Sequence, residues 1–164
     1  MGIRFWIALV LISGVVVSGC SKKTDPAVSE TAEPATASAN WITDFEAAKR
    51  TAAAEGKDLL INFSGSDWCG WCIKLDEEVF SKPAFIEEAG KSFVFVLLDF
   101  PRDKSGQSSA VQAQNKRLAD QFQIQGYPTV ILAKADGSPY VETGYMEGGP
   151  AAYLAHLKEL REKR

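Results

Sequence analysis

Cysteine and histidine are scarce here: three and one respectively among 164 residues. Three cysteines cannot make the multi-bridge framework with which small secreted domains replace a core. A structural zinc site takes four ligands, and His156 stands far along the chain from every cysteine. No metal and no other cofactor is therefore expected. The formal net charge is -3, the isoelectric point is near 5.3, and lysine and arginine are scattered rather than striped. That balance carries no electrostatic footprint for nucleic acid. No internal repeat is present, and no apolar stretch comfortably reaches the ~20 residues of a membrane-spanning helix.

The one long apolar run is at the start. Arg4 supplies a positive beginning, Phe5 to Val17 is almost unbroken apolar sequence, and Ser18-Gly19 puts small residues before Cys20. These are the parts of an export signal. Val17-Ser18-Gly19-Cys20 resembles the lipobox of bacterial lipoproteins, which implies a lipoprotein signal peptide over 1–19 and a lipid on Cys20. Plain secretion and an uncleaved anchor are the alternatives. Residues 21–40 are mostly Ser, Thr, Ala, Pro and charged residues without a hydrophobic period, so Cys20 and this stretch (20–40) read as an attachment point and a disordered linker. Such a linker has a mean reach of ~25 Å and a taut limit of ~70 Å. The implied location is outside the cytoplasm, lipid-anchored to the bacterial cell envelope and, in a Gram-negative cell, on its periplasmic side. Disulfides persist there. With Cys20 lipidated, Cys69 and Cys72 are the only thiols left, either paired with each other or free.

Residues 41–164 have the length and mixed composition of one globular domain. Thr43 is a candidate N-cap with Glu46 completing a capping box, and Phe45, Ala48 and Ala52 form the inward stripe of a helix that Gly56 stops. Leu59 to Phe63 is a short apolar run, a strand buried on both faces and interrupted only by Asn62. After the polar loop Ser64 to Asp67, Cys72, Leu75 and Val79 share one face of a second helix. Pro83 to Ala89 is a separate short helix ending at Gly90, and Phe93 to Leu98 a second strand. A polar loop leads into a helix from about Ala110 to Phe122, carried by Val111, Leu118, Ala119 and Phe122. Val130-Ile131-Leu132, the turn residues Ala135 to Ser138 and Tyr140 to Thr143 make a hairpin. Gly149-Pro150 opens a last helix with Tyr153, Leu154, Leu157 and Leu160 inward.

The chemistry is concentrated in Trp68-Cys69-Gly70-Trp71-Cys72. Two thiols three positions apart at the first turn of a helix can close and reopen a small disulfide, and the exposed amide N–H groups there favour a thiolate. At an unperturbed pKa near 8.5, about 3% of a thiol is ionised at pH 7, against about half at pKa 7. A purely structural bridge between these cysteines would close too small a loop to stabilise much.

The order of elements, with this motif after a buried strand and Ile124-Gln125-Gly126-Tyr127-Pro128-Thr129 opening a later one, resembles the thioredoxin superfamily over Trp41 to Arg164. The resemblance implies an α/β, thioredoxin-like fold, a central mixed β-sheet flanked by helices, with Pro128 cis and lying against the cysteine pair. It implies a thiol-disulfide oxidoreductase acting on protein thiols and disulfides and recycled by a redox partner. Cys69 and Cys72 are then catalytic, with Cys69 the more exposed, and Trp68, Trp71, Tyr127 and Pro128 form a substrate-binding rim. Ordinary packing is the alternative reading for both Trp68 and Trp71. Three positions depart from the family pattern. Asn62 stands where thioredoxins keep a buried Asp, Val96 to Leu98 occupy the neighbourhood of a family Lys, and Trp71 precedes the second cysteine. An amide cannot be a general base, so Asn62 reads as a satisfied buried amide, and water, Asp67, Asp76 or Glu77 becomes the candidate proton acceptor. Asp76-Glu77-Glu78 otherwise reads as a solvated helix face. No histidine lies inside the motif to stabilise a strongly acidic thiol, which favours reductase or isomerase over oxidase. The rival is a non-catalytic binding module of the cell envelope or a copper-handling protein.

Overall fold

The computed structural model describes residues 40–164. The leader, Cys20 and the linker up to residue 39 lie outside the described residues.

The strand expected around Leu59 is β1, Asp58–Ser64, and all seven of its residues are buried. It is central because it has neighbours on both sides. It runs parallel to β2 (Phe93–Asp99) and antiparallel to β3 (Thr129–Ala133), and β3 pairs antiparallel with β4 (Pro139–Thr143). The order β2-β1-β3-β4 is the mixed sheet that was expected. Strand alternation divides the interior into two layers. Leu59, Ile61 and Phe63 pack with residues of α1 (Phe45–Glu55) and α4 (Ser109–Gln121). Leu60, with Val130 and Leu132, packs beneath α2 (Gly70–Leu75), α3 (Pro83–Ala89) and α5 (Gly149–Arg161).

Several local expectations are corrected. The N-cap of α1 is Asp44, whose Oδ1 accepts the Ala47 N–H at 2.9 Å. Thr43 instead offers its carbonyl to Gln114 Nε2 at 2.8 Å, and Glu46 pairs with Lys49. The stripe of α4 is thinner than its sequence suggests: Leu118 is fully buried, and its companion is the polar Asn115, whose Nδ2 donates to Asp99 O at 2.9 Å. Leu154 lies at the rim of the core rather than inside it. Between α2 and α3, Asp76–Phe80 form a π-helical turn, closed by Ser81 N–H donating to Asp76 O at 2.9 Å. The wider turn lets consecutive residues, Val79 and Phe80, both enter the core.

The hairpin turn forms as expected, with Lys134 N–H donating to Ser138 O and Gly137 N–H to Lys134 O. Gly137 has φ 92, and a Cβ there would stand 3.1 Å from the Phe45 ring, so no other residue fits easily. No helix among the described residues is long and apolar enough to cross a membrane.

Candidate active site

β1 ends at Ser64, the chain turns through Gly65 to Trp68, and α2 begins at Gly70. Cys69 is the N-cap of that helix. Its Sγ accepts the Cys72 N–H at 3.2 Å, and its carbonyl accepts the N–H groups of Cys72 and Ile73. The two cysteines are joined as a disulfide with Cα atoms 5.2 Å apart. The expected difference in exposure is absent: Cys69 is 6% and Cys72 4% exposed. What separates them is electrical, since an amide N–H points at the Cys69 sulfur and favours negative charge there.

The turn before the cysteines is tied to the end of β2. Asp99 accepts Ser66 N–H at 2.9 Å and Ser66 Oγ–H at 2.6 Å, while Phe100 N–H donates to Ser64 O. Asp67 returns the contact, its two oxygens accepting the N–H groups of Arg102 and Asp103 at 2.9 and 3.0 Å. Those bonds, the one from Asp103 first, hold its carboxyl below the usual carboxylate range. Asp67 is thus a positioning group and a poor base. Neither Asp99 nor this use of Asp67 was expected, and the visible signal was a charge closing the apolar run of β2.

Trp68 is packed on one edge and open on the other, 38% exposed. Its Nε1–H donates to Phe100 O at 2.8 Å, its ring meets Tyr127 edge-on at 5.7 Å, and Arg102 lies over it. A Cβ on Gly65 would come within 2.5 Å of this indole, so glycine is required at that turn. Through Trp68 the motif reaches Tyr127, whose phenol is raised by burial and whose peptide bond to Pro128 is cis. The next residue, Thr129, pairs with Phe63 of β1. The Gly126 to Thr129 segment therefore stands beside the cysteine loop.

On the other side, Trp71 is 57% exposed. Its ring lies 5.1 Å from Tyr145, and Lys74 caps both rings at 5.2 and 5.0 Å. Tyr145 O–H donates to Glu78 at 2.7 Å, so one carboxylate of the expected solvated face is tied down although its side chain stays 41% exposed. The same cluster raises Lys74, through the neighbouring Tyr145 first and the Glu78 charge after it. Asp76 is raised by desolvation and then by Glu77. His156 sits on the edge of α5 and shares a hydrogen bond with Thr143 Oγ1 at 2.9 Å.

Beneath the motif, Asn62 is 7% exposed, and its Oδ1 has no hydrogen-bond partner. The expectation of a satisfied amide is overturned at that oxygen, and the register neighbours of Asn62 in the sheet, Leu97 and Val130, are both apolar. Among the described residues, no three or more His, Cys, Asp or Glu side chains converge to hold a metal ion.

A family model for a thioredoxin-like domain matches residues 45–161. The chain belongs to the thioredoxin-like domain family. Disulfide bond reductase DsbH of Chlamydia pneumoniae is 28% identical over 172 residues, spanning 98% of this chain and 99% of that protein. Thioredoxin-related protein DsbJ of the same organism is 34% identical over 92 residues, which are 56% of this chain and 26% of DsbJ. A solved structure of the DsbH oxidoreductase superposes with a TM-score of 0.73 at 28% identity, covering 90% of this chain and 96% of that one. The thioredoxin-like chain described here is thus homologous to thiol-disulfide oxidoreductases and carries a bonded cysteine pair at the head of α2.

Proposed function

We propose that this chain is an extracytoplasmic thiol-disulfide oxidoreductase that reduces or isomerises disulfides in protein substrates. The observation that carries the reading is the Cys72 N–H directed at Cys69 Sγ, a donor that lowers the cost of a thiolate on the first cysteine. In the reduced enzyme the Cys69 thiolate attacks one sulfur of a substrate disulfide. The substrate's other sulfur leaves as a thiolate and takes up a proton. Cys72 then loses its proton and attacks Cys69 Sγ, and the second substrate sulfur departs. Two electrons have moved from the enzyme dithiol to the substrate, and a partner dithiol returns them.

The rim divides the work of holding substrate. Tyr127 would offer backbone groups to an extended segment beside the disulfide, and Pro128 contributes no competing N–H. Trp68 and Trp71 would flank that segment with apolar surface, Trp71 being the more exposed of the two. Asp67 is committed to backbone bonds, which leaves water, Asp76 or Glu77 to take the Cys72 proton. A reductive direction is supported by the name of DsbH and by the absence of histidine between Cys69 and Cys72. Lipidation at Cys20 after removal of 1–19 would hold the domain near the membrane, and stable anchoring needs more than one acyl chain.

The Cys72→Ser variant tests the central step. It should accumulate mixed disulfides with protein substrates through Cys69, and an insulin-reduction assay of the wild-type chain should show turnover. A variant that traps no protein while Cys69 stays alkylatable would refute the exchange mechanism. Metal-protected thiols without insulin turnover would favour the binding-module alternative.

A further inference from the structure

Asn62 Oδ1 is the one buried side-chain oxygen or nitrogen among the described residues that lacks a hydrogen-bond partner. Such a group is costly in a folded protein and calls for a physical reason. Its direction follows from the strand. Leu60, two positions earlier, packs with Leu75, Val79 and Val130, and Asn62 itself pairs with Val130 across the sheet. Its side chain therefore leaves β1 on the face covered by α2. Cys72 lies on the same inward stripe as Leu75 and Val79, nearest the start of the helix. β1 runs toward that start, which puts Asn62, not Leu60, beneath the first turn.

We propose that Asn62 Oδ1 is the acceptor for the Cys72 thiol in the reduced enzyme. In the disulfide form Cys72 Sγ has no proton to give. Reduction by a partner dithiol adds two electrons, breaks the S–S bond and leaves a proton on Cys72, whose side chain is buried. That S–H is the donor the amide lacks. Asn62 is then a positioning residue: it stabilises the dithiol relative to the disulfide and holds Cys72 protonated until Cys69 has formed the mixed disulfide. Being an amide, it never takes the proton itself, which leaves Cys72 directly for water or a carboxylate. The bias makes the pair less reducing than the same fold with an apolar residue at this position.

This inference rests on the cycling of Cys69 and Cys72 proposed above. The test is equilibration of the full chain with glutathione buffers, the reduced fraction being read by thiol alkylation. Asn62→Val and Asn62→Thr are compared because both residues suit strands and have nearly equal volume, and only threonine keeps an acceptor. Asn62→Val should shift the equilibrium about tenfold toward the disulfide, about 30 mV for a two-electron couple, whereas Asn62→Thr should stay within about threefold of wild type. Urea unfolding of both redox forms supplies the second readout, with Asn62→Val weakening the reduced form more than the oxidised one. Equal equilibria for the two variants of a cycling chain, or a shift of Asn62→Val toward the dithiol, would overturn the role of Asn62 alone. A wild-type chain that never equilibrates with glutathione would overturn both readings.

Discussion

Asp58 and Asn62 lie on the same face of β1, one at each end, and the protein treats them in opposite ways. Asp58 is 1% exposed and fully partnered: Tyr140 O–H donates to Oδ2 at 3.1 Å, Arg161 Nε lies 3.5 Å from that oxygen, and Arg164 Nη2 lies 3.2 Å from Oδ1. Arg161 is itself held by Ser92 Oγ and the face of Phe93. Tyr140 responds by holding its proton far above the usual phenol range, through burial first and the Asp58 charge second. Asn62 Oδ1, at the cysteine end, has no partner. An unpaired buried acceptor costs about 1–3 kcal/mol. A buried charge without partners costs more, so the far end of the strand makes all its bonds in the resting state. The cysteine end, where β1 leads into the loop before Cys69, keeps one acceptor open. Complete satisfaction marks the end that ties α5 to the sheet, and the open acceptor marks the end that reacts.

Substitutions at the cysteine end should change chemistry more than stability, and those at the Asp58 end the reverse. The largest effect belongs to Cys69→Ala, which should reduce insulin turnover to the uncatalysed background while its unfolding stays close to that of the reduced wild type. Asp58→Ala leaves two guanidinium groups without their carboxylate and the half-buried Tyr140 phenol without its acceptor. Because Arg161 and Arg164 are 38% and 51% exposed, the loss should fall at or below the low end of the range for broken buried pairs, about 2 kcal/mol by urea unfolding. Its glutathione equilibrium should not move, and a shift as large as that of Asn62→Val would erase the contrast between the two ends.

A smaller change is expected at the rim. Trp71→Ala should alter stability by less than about 0.5 kcal/mol, raise KM for protein disulfides several-fold and leave the equilibrium with glutathione unchanged. Equal KM values would remove Trp71 from the substrate surface. The smallest effect is a pH dependence. The Asp67 carboxyl is held low by the N–H groups of Asp103 and Arg102, so its contribution is complete above its unfolded pKa of about 4. It is lost as pH falls through the depressed folded value. Asp67→Asn should therefore melt below wild type near neutrality, with the gap closing in acid. A gap that persists at low pH would mean that the carboxylate is not its source.

Local patterns made much of this fold legible. β1 reads as buried on both faces because its apolar run is short and nearly continuous, and the turn at Gly137 reads from its residue types. The cysteine spacing and Gly126-Tyr127-Pro128-Thr129 pointed to the same site from two distant places. What escaped was partnership across the chain. Asp99 holds Ser66 from 33 positions away, and Tyr145 holds Glu78 from 67. Asp44 is by type a stronger N-cap than Thr43, and its use accompanies a third residue, Gln114, which takes the Thr43 carbonyl. Asn62 was visible as the polar interruption of an apolar strand, but its lack of a partner depends on which side chains face it.

The sequence alone determined where the two thiols stand, which runs become strands and which helix carries the cysteines, because spacing and apolar periodicity are properties of the covalent chain. Only the tertiary structure decided that Asp58 is paired and Asn62 is not, that Asp67 is spent on backbone bonds and that Trp71 stays open to solvent. The energy of a polar group depends on what lies within about 3 Å of it, and those neighbours come from elsewhere in the chain.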